Sequence, residues 1–550
     1  MSKIKIFGLG GLNENGKDMY IAEVDNDIFI FDAGLKFSNE TMLGVDYVIP
    51  NFTYLKENKA RIKGLFLTHG HIDNIGSATN LLKEIPELKV YGTKFTLEIL
   101  KNELADEKLK DIKLVELLPK KELVFGQNKI LPVAVTHSIP GSVGYALITK
   151  DGVIFYTGDF LFDPRMPKSY EMDLESLTDL SKKGVLCLLS ESVYAGNPGF
   201  TSPHHRLNNI LSETFVKYEE KRIIFTVFAN QIHRIQELFD NIVTTKRKVV
   251  IMGHKLQALV NNSLKLGYLK FDESRIGNLT DLDNKNTIIL LSNEKDSPFS
   301  HLEKILAGYD KYIKVTADDL ILIAQSLEEG NEKKQARIMD EIARIGATGL
   351  KLSSKRNLLY NASREDLMLM IKMLKPKYYF PVKGEYRFQW KNKEAAMEAG
   401  IAESNILLKQ NGEVSTFENG VLKQGTTLIP ADSVLIDGKD TTDIGELVLK
   451  DREILSDDGI VIVSATVHRE EKKIKIGPEV LTKGFIYVKN NIELLEEVKK
   501  QASEIINNNM NPQGIEHSKI KTQVRDKISR YLYKETGSNP MIITVINEIS

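Results

Sequence analysis

The chain has 550 residues, which is too many for one hydrophobic core and indicates roughly two to four domains. Hydrophobic residues make up 42% and charged residues 27%, as in ordinary globular proteins, and the formal net charge is -1. This balance excludes a global charge signal for nucleic acid or membrane, so an anionic partner would need a local basic groove.

The first residues, MSKIKIFGLGG, alternate like a short strand rather than a signal peptide, and no apolar run approaches about 20 residues. We therefore expect a cytoplasmic protein without a membrane partner. The single cysteine, Cys187, lies in the apolar run GVLCLLS. It is predicted to be a small core residue rather than a metal ligand or a nucleophile.

Residues 1 to about 200 are predicted to form short strands and tight turns with a few helices. YIAEVDNDIFIFDAG has the pattern of a hairpin that turns at Asn26 and Asp27, and the runs IKGLFLTH and VIFYTGDF are typical of buried strands. The conspicuous polar residues of this segment follow strands, which is where layered α/β enzymes place their ligands.

The pattern changes after residue 200, where the apolar runs RIIFTVFA, RKVVIMG, NTIILLSN and DDLILIAQS alternate with helical segments. Strand–helix alternation predicts a parallel sheet with right-handed crossovers, and therefore a separate domain. After residue 362 the elements are mixed again, and Pro376 ends a predicted helix at REDLMLMIKML.

Residues 426–446 are predicted to be a strand-bearing linker, and residues 447–550 a small α+β module. In that module GIVIVSATVH, KGFIYVKN and MIITVINEI are predicted strands, with a turn at Glu470 and Glu471. NIELLEEVKKQASEIINNN and KIKTQVRDKISRYLYKE have the apolar stripe of amphipathic helices.

A group of residues that follow predicted strands has the side chains of a metal site. His69 and His71 are two apart in the loop LFLTHGHIDNIG, and His137 and Asp159 follow two later strands. Alternate side chains of a tight loop can converge on one ion, while Asp73 can turn toward a second ion. Neutral imidazoles with a carboxylate suit zinc or manganese. Each histidine alone would more often be structural, but the joint placement favours a metal site.

Several motifs, in order along the chain, resemble the bacterial ribonuclease J family of metallo-β-lactamase-fold hydrolases. THGHIDN is similar to the H-x-H-x-D-H loop of that fold. The other matching stretches are GGLNENGKDMY, LGVDYVIP, HSIPGSVGY, TGDF, KPKYYFPVKGEYR and TKGFIYV. The resemblance spans nearly the whole chain and is closest to a degenerate second paralogue of Gram-positive bacteria.

The resemblance implies an α/β fold with three parts. A metallo-β-lactamase αββα sandwich core would comprise residues 1–200 and 362–425, and a β-CASP domain with a parallel sheet would be inserted at 201–361. The linker at 426–446 would lead to a small α+β C-terminal domain at 447–550 that supports dimerisation.

The chain departs from the family pattern at the metal site. The resemblance implies that the three histidines and a bridging Asp159 hold a first ion, and these residues are all present. The second ion should have histidines at positions 74 and 383, where this chain has Asn74 and Lys383. An amide oxygen is a weak ligand and an ammonium group has no lone pair. We therefore expect zinc or manganese at the first site only, at most one ion, or no ion.

Lys383 suggests a structural replacement for the second ion. Without that ion, Asp73 and Asp159 would carry excess negative charge, and a nearby ammonium group would neutralise it by ion pairing. The alternative is that Lys383 is a solvated surface lysine.

The proton chemistry is also altered. The family stretch G-H-G-S is YNAS here, so Asn361 occupies the position of a histidine that helps the leaving group or binds phosphate. Asparagine cannot act as an acid near neutral pH, which leaves Asp73 as a weak catalytic candidate. Losing one donor typically costs a factor of about 10²–10³ in rate. Three changes at one site therefore predict weak or absent hydrolysis.

The sequence offers further candidates for substrate contact. FANQIHR is similar in part to a family segment, and its Asn230, Gln231, His233 and Arg234 are candidate phosphate or base contacts. The alternative is that they are ordinary residues at a helix start. The remaining candidates are Asn357, Asn361 and Ser363, together with the basic residues Lys351, Lys355, Arg356, Lys383 and Arg387.

Two functions remain open from the sequence. In the first, the protein takes part in rRNA processing and mRNA decay as a structural or regulatory subunit that binds RNA and an intact ribonuclease J, as a homodimer or hetero-oligomer. In the second, it is a weak metal-dependent 5′–3′ exoribonuclease or endoribonuclease in its own right. Metal content and turnover would distinguish them.

Overall fold

The computed structural model divides the chain into two compact units: Met1–Phe37 with Val48–Ser433, and Ser38–Tyr47 with Val434–Ser550. The predicted insert and most of the predicted core lie in the first unit, while Ser38–Tyr47 of the predicted core lies in the second unit together with the predicted C-terminal domain. The borders predicted at residues 200, 362 and 447 stay predictions. The structure describes residues 2–38, 42–228, 231–292, 299–326, 331–353, 355, 357–425, 427–438, 445–486, 491–511 and 514–549.

The N-terminal part of the chain contains short strands and few helices, as predicted. Its strands are β1 (Lys3–Gly10), β2 (Met19–Val24), β3 (Asp27–Phe31), β4 (Lys36–Phe37), β5 (Tyr47–Ile49), β6 (Ile62–Phe66), β7 (Val90–Gly92), β8 (Leu114–Glu116), β9 (Leu123–Phe125), β10 (Asn128–Ala134), β11 (Val143–Thr149), β12 (Gly152–Tyr156) and β13 (Val185–Ser190). Its helices are α1 (Thr53–Glu57), α2 (Ile72–Ile75), α3 (Ala78–Glu84), α4 (Lys94–Asp106) and α5 (Leu174–Lys183).

Strand and helix alternate in the next segment. Its elements are α6 (Asn208–Lys217), β14 (Arg222–Val227), α7 (Ile232–Ile242), β15 (Lys248–Met252), α8 (His254–Lys265), β16 (Thr287–Ser292), α9 (Ser300–Leu306), β17 (Asp319–Ile323), α10 (Glu332–Ile345) and β18 (Thr348–Lys351). The strands pair in parallel in the order β15-β16-β14-β17-β18, which confirms the predicted parallel sheet. Helices pack on both faces of this sheet, and Phe95 of α4 belongs to the same apolar cluster as α6, α7 and α8.

The chain then returns to the elements of the first segment. The returning elements are α11 (Arg364–Leu374), β19 (Tyr378–Pro381), α12 (Tyr386–Glu398), β20 (Glu413–Glu418), β21 (Val421–Leu422) and β22 (Thr427–Leu428). One sheet has the order β21-β20-β1-β2-β3-β6-β7-β8, with β22 beside β20, and a second has the order β19-β13-β12-β11-β10-β9. Both therefore combine strands from before and after the parallel-sheet segment.

The two sheets pack face to face and helices cover their outer sides. Phe29 of the first sheet and Tyr145 of the second lie in one apolar cluster. Leu177 of α5 and Met370 of α11 pack on the other face of the second sheet, while α4 contacts β7 and β8 of the first. Strands β2 and β13 are buried at every position because each is covered on both faces. This arrangement is the predicted αββα sandwich.

The hairpin between β2 and β3 differs from the prediction by one residue. Val24 pairs with Asp27, so the turn consists of Asp25 and Asn26 rather than Asn26 and Asp27. Asp25 has a φ of 53°. Tight hairpin turns require positive φ, which aspartate and asparagine tolerate better than most residues.

The second unit contains an α+β layer. Its elements are β23 (Val434–Ile436), α13 (Gly445–Asp457), β24 (Ile460–His468), β25 (Lys473–Lys483), α14 (Ile492–Asn508), β26 (Met510–Asn511), β27 (Gly514–Ile515), α15 (His517–Thr536) and β28 (Met541–Ile549). A sheet of order β25-β24-β28 packs one face on α14 and α15. No helix in the described residues is long and apolar enough to cross a bilayer.

One predicted strand of this unit is contradicted over the part that the structure describes. KGFIYVKN was expected to form a strand, but β25 ends at Lys483, the residues from Gly484 to Ile486 are not extended into a strand, and 487–490 lie outside the described residues. The strand that pairs with β24 is instead KIKIGPEVLTK. Its charged and exposed residues, with a central Gly-Pro, masked its strand character.

Candidate metal centre

The predicted ligands lie together at one edge of the sandwich. His69 and His71 follow β6, His137 follows β10, and Asp159 follows β12. Because these strands end at the same edge of two facing sheets, residues far apart in sequence become neighbours. Lys383 follows β19 and reaches the same place.

Three imidazoles converge on one point. His69 Nε2 lies 3.1 Å from His71 Nδ1, and His137 Nε2 lies 3.0 Å from the same atom. Asp159 Oδ2 is 3.8 Å from His69 Nε2 and 3.9 Å from His137 Nε2. The four potential ligand atoms all lie within 4.8 Å of one another.

Neighbouring groups fix the orientation of each ring. The Nδ1 atom of His137 lies 2.7 Å from the carbonyl oxygen of Tyr360, so Nδ1 carries the proton and Nε2 presents its lone pair. Thr68 Oγ1 lies 3.0 Å from His69 Nδ1 and donates to Asp32 at 2.8 Å. Burial and the charge of neighbouring imidazoles lower the pKa of His137 to about 3 and that of His69 well below its usual value. Both rings are therefore neutral at physiological pH, the form that binds metal.

The geometry fits one divalent ion. Ligand nitrogens around a tetrahedral zinc ion are about 3.3 Å apart, close to the nitrogen separations found here. Asp159 is 3% exposed, and its Oδ1 has no hydrogen-bond partner in the described structure. A buried carboxylate oxygen without a partner is costly unless a cation uses it. Three imidazole nitrogens and this carboxylate would bind zinc or manganese, which would supply Lewis acidity and an activated water.

Lys383 lies where the sequence predicted a degenerate second ion site. Its Nζ lies 2.6 Å from Asp73 Oδ2, 2.7 Å from Asp159 Oδ2 and 3.2 Å from Asp18 Oδ2. Lys383 is 2% exposed, so the alternative of a solvated surface lysine is wrong and the predicted ion pair is confirmed. Asp18 is a third partner that the sequence did not indicate.

Lys383 and the surrounding carboxylates shift one another's pKa values. Burial lowers the pKa of Lys383, but Asp159, Asp18 and Asp73 outweigh burial and hold its pKa well above the usual value. Burial also opposes ionisation of Asp73 and Asp159, yet the Lys383 charge keeps the pKa of both below their usual range. Burial raises the pKa of Asp18 well above its usual value. The stable state is thus an ammonium group between two ionised carboxylates, with Asp18 nearby.

The side chain of Asn74 donates a hydrogen bond to a buried carboxylate of the protein. It is fully buried, and its Nδ2 donates to Asp32 Oδ2 at 2.9 Å. Tyr156 and the backbone of Thr68 donate to the same carboxylate at 2.9 and 2.7 Å. Burial outweighs these bonds and raises the pKa of Asp32 to about 7. The amide therefore completes the hydrogen bonding around a buried acid.

Asn361 also donates a hydrogen bond to a buried carboxylate. Its Nδ2 donates to Glu191 Oε2 at 2.5 Å, and the backbone N–H groups of Phe160 and Ala362 donate to Oε1 of the same side chain. Glu191 is 1% exposed, and burial raises the pKa of its carboxyl well above the usual value. Sequence reasoning missed Glu191, Asp18 and Asp32. Glu191 and Asp32 directly follow buried strands, the signal that identified Asp159.

The candidate substrate contacts are mostly buried. Arg234 is fully buried and donates to the Ala324 carbonyl and to Asn357 Oδ1 at 2.8 and 2.5 Å. His233 Nδ1 lies 2.8 Å from the Tyr360 hydroxyl. Asn230 and Arg356 lie outside the described residues, and no observation tests substrate contact by the others.

Two of these candidates lie at helix starts. Gln231 precedes α7 and is 3% exposed. Ser363 precedes α11 and forms a reciprocal capping pair with Asp366. Both positions match the alternative that they are helix-start residues, while their contact with substrate stays a prediction.

The sandwich, the histidine cluster at strand ends and the parallel-sheet insert define a metallo-β-lactamase-fold protein with a second domain in the chain. Family models give the same result for three segments. The Metallo-beta-lactamase superfamily model matches residues 13–254, the model of the Ribonuclease J beta-CASP domain matches 220–342, and the model of the Ribonuclease J C-terminal domain matches 447–549.

Full-length relatives identify the family. Ribonuclease J2 of Bacillus subtilis (strain 168) is 35% identical over 552 residues, covering 99% of this chain and 99% of that protein. Ribonuclease J 2 of Staphylococcus aureus (strain MRSA252) is 33% identical over 550 residues, covering 99% and 98%. The chain belongs to the ribonuclease J family, as its motifs predicted.

A solved structure shares the fold. It is titled as a protein of unknown function from Enterococcus faecalis V583 and covers 76% of this chain and 100% of its own, with a TM-score of 0.54 and 16% sequence identity.

Proposed function

We propose that this protein acts in RNA processing and decay mainly as a structural or regulatory subunit of a complex with an intact ribonuclease J, with weak or no hydrolysis of its own. One observation carries this proposal: each side chain at a degenerate position binds a carboxylate of the protein itself. Asn74 binds Asp32, Asn361 binds Glu191, and Lys383 binds Asp73 and Asp159.

These attachments remove the groups that phosphodiester hydrolysis needs. Two-metal hydrolysis requires an activated hydroxide, charge stabilisation on the phosphoryl oxygens and an acid for the leaving group. An amide and an ammonium group cannot complete a second ion site, and Asn361 cannot supply a proton. Since each missing part costs orders of magnitude, RNA binding rather than cleavage is the better supported role.

An apolar surface in the second unit supports a protein partner. Ile462 of β24 pairs with Leu481 of β25 and with Ile543 of β28, on the sheet face away from α14 and α15. Leu481 is 61% exposed and Ile543 is 40% exposed. A row of aliphatic side chains across three strands favours a covering partner. We assign that role to the corresponding domain of an intact ribonuclease J, with a homodimer as the competing assembly.

A one-ion ribonuclease is the second candidate function. The observation that favours it is the set of three imidazoles with Asp159, which fits one zinc or manganese ion. A single ion could support slow 5′–3′ exonucleolytic or endonucleolytic cleavage, and Asp73, although paired with Lys383, would be its candidate catalytic carboxylate.

The deciding experiment combines turnover with ion content. Purified protein, loaded with manganese, is incubated with 5′-monophosphorylated RNA, and its ion content is measured by mass spectrometry beside a His69→Ala control. We expect RNA binding, at most one ion per chain, and cleavage at least 10²-fold slower than an intact ribonuclease J. Cleavage at a comparable rate that His69→Ala abolishes would refute the subunit role in favour of the second candidate.

The partner is tested separately. The protein is mixed with an intact ribonuclease J, and their association is measured by analytical ultracentrifugation. Failure to form a mixed complex at micromolar concentration would contradict the proposal. Cytoplasmic location and the specific RNA targets stay predictions.

A further inference from the structure

We infer that Lys383 is a built-in cation that replaces the second metal ion of this fold, so that the centre is complete with one divalent ion and excludes another. This inference deepens the proposed function, because it explains why the centre stops short of a two-metal site. It concerns ion number and folding stability, whereas the proposed function concerns RNA and a partner.

The contacts of the ammonium group resemble those of a bound cation. Three carboxylate oxygens, from Asp73, Asp159 and Asp18, lie 2.6, 2.7 and 3.2 Å from Nζ. Asp159 also belongs to the imidazole cluster, so the carboxylate that would bridge two ions instead bridges one ion site and the ammonium group. An ammonium group has three donors and no lone pair. A second ion could enter only by displacing it.

The backbone holds the lysine in this place. Val382 N donates to Ser190 O at 2.9 Å and Lys383 N donates to Gly11 O at 2.8 Å, which fixes the segment after β19 between two parts of the sandwich. Lys383 has a φ of 54°, in the left-handed region that residues other than glycine rarely adopt. The ion pairs offset that strain and direct the side chain inward.

The effect of removing Lys383 distinguishes an ordinary buried ion pair from a lysine that replaces a metal ion. Removing the lysine from an ordinary pair leaves a buried charge that only destabilises the fold. Removing it here leaves the ionised carboxylates of Asp73 and Asp159, with Asp18 beside them, around the place of Nζ, and Asp159 is already shared with the imidazoles. Oxygen ligands of this kind bind divalent ions such as manganese. The variant should therefore gain an ion and recover stability with it.

The test is cation rescue of Lys383→Ala in the full-length protein. Melting temperature is measured in EDTA and then with increasing manganese chloride, and bound manganese is counted by mass spectrometry. We expect the wild type to bind one ion. The variant should melt about 6 °C or more below the wild type in EDTA. Manganese should restore at least half of that gap beyond the shift it causes in the wild type, and the ion count should rise to two.

The chain offers a matched control in Lys17. It is 1% exposed, has a φ of 60°, and pairs with Glu14 at 3.1 Å. Lys36 also pairs with Glu14, so removing Lys17 leaves no group of uncompensated carboxylates. Lys17→Ala should lose stability without manganese rescue, and its ion count should stay at one.

Either of two results would overturn the inference: a wild type that binds two ions, or a Lys383→Ala variant that is destabilised but keeps one ion and gains nothing from manganese. If Lys383→Ala does not fold, Lys383→His provides the test, with two ions expected and one ion refuting the inference. Fast RNA cleavage by the wild type would refute the proposed function without affecting these results.

Discussion

Arg234 offers a test between a structural role and the predicted contact with substrate. Its guanidinium group donates to the carbonyl oxygens of Ala324, His205 and Leu358 and to Asn357 Oδ1, at 2.5 to 3.2 Å. It also lies 5.8 Å from the centre of the Tyr360 ring, whose backbone carbonyl orients His137. Arg234 therefore connects α7 to the segment that leads into the metal centre.

The expected cost of Arg234→Ala follows from these contacts. Asn357 also donates to Ala324 O, so that acceptor stays satisfied. Three other acceptors lose a donor, at about 1 kcal/mol each, and the cavity left by a fully buried side chain adds to the loss. We expect the free energy of unfolding to fall by about 3–4 kcal/mol, and the melting temperature by about 5 °C or more.

The assay is scanning calorimetry of the full chain together with RNA binding measured below the melting temperature. Arg337→Ala is the control, because Arg337 is an exposed arginine on α10. The control should melt within about 1 °C of the wild type, as surface substitutions normally do. If Arg234→Ala also melts there but loses RNA binding, the structural reasoning is refuted and the substrate role is supported.

Three further outcomes are expected. Asn361→Ala removes a donor from buried Glu191 and should lower the free energy of unfolding in urea by about 1–3 kcal/mol, and an unchanged urea midpoint would contradict that contact. Asp163 is buried, but hydrogen bonds from His205 and Arg206 outweigh burial and hold its pKa well below the usual range. The stabilisation of the fold by ionised Asp163 is therefore present above about pH 4 and lost as pH falls further. The difference in free energy of unfolding between wild type and Asp163→Asn should thus shrink from pH 7 to pH 3. A constant difference would argue against ionisation of Asp163. Leu481→Asp should weaken association with an intact ribonuclease J in sedimentation without lowering the melting temperature of the first unit, and unchanged association would remove the open sheet face from the interface.

The fold was predictable because apolar periodicity is a local signal. Buried strands such as β13 and the alternation from β14 to β17 are visible as apolar runs, and that alternation predicted the parallel sheet. The αββα sandwich was predicted from the resemblance to the ribonuclease J family. Strand β25 was not visible, since most of its residues are exposed and it carries Gly477 and Pro478 in its middle. Its strand character depends on pairing with β24, which composition does not encode.

The site was predictable to the level of residues but not of side-chain directions. Histidines after strands indicated the cluster. The ion pair of Lys383 was predicted from the resemblance, which implies that position 383 lies at the second ion, together with a count of the charges there. That Asn74 binds Asp32 and Asn361 binds Glu191 depends on which carboxylate lies within about 3 Å in the folded chain. Spacing in sequence carries no such information for residues more than a hundred positions apart, such as Asn361 and Glu191.

The parallel pairing of β13 with β19 joins two strands that the ribosome makes at widely separated times. Ser190 lies beside Pro381 in that ladder, and at about 5–20 residues per second a ribosome needs roughly 10–40 s to make the roughly 190 residues between them. During that interval the strand that pairs with one edge of β13 has not been synthesised. The lysine that pairs with Asp73 and Asp159 is also missing, because it follows β19 by two residues. The order of synthesis therefore leaves one edge of β13 unpaired, and the carboxylates of Asp73 and Asp159 without their ammonium partner, until residue 383 is made. A divalent ion bound between those carboxylates before that point would occupy the place that Nζ of Lys383 takes in the complete chain.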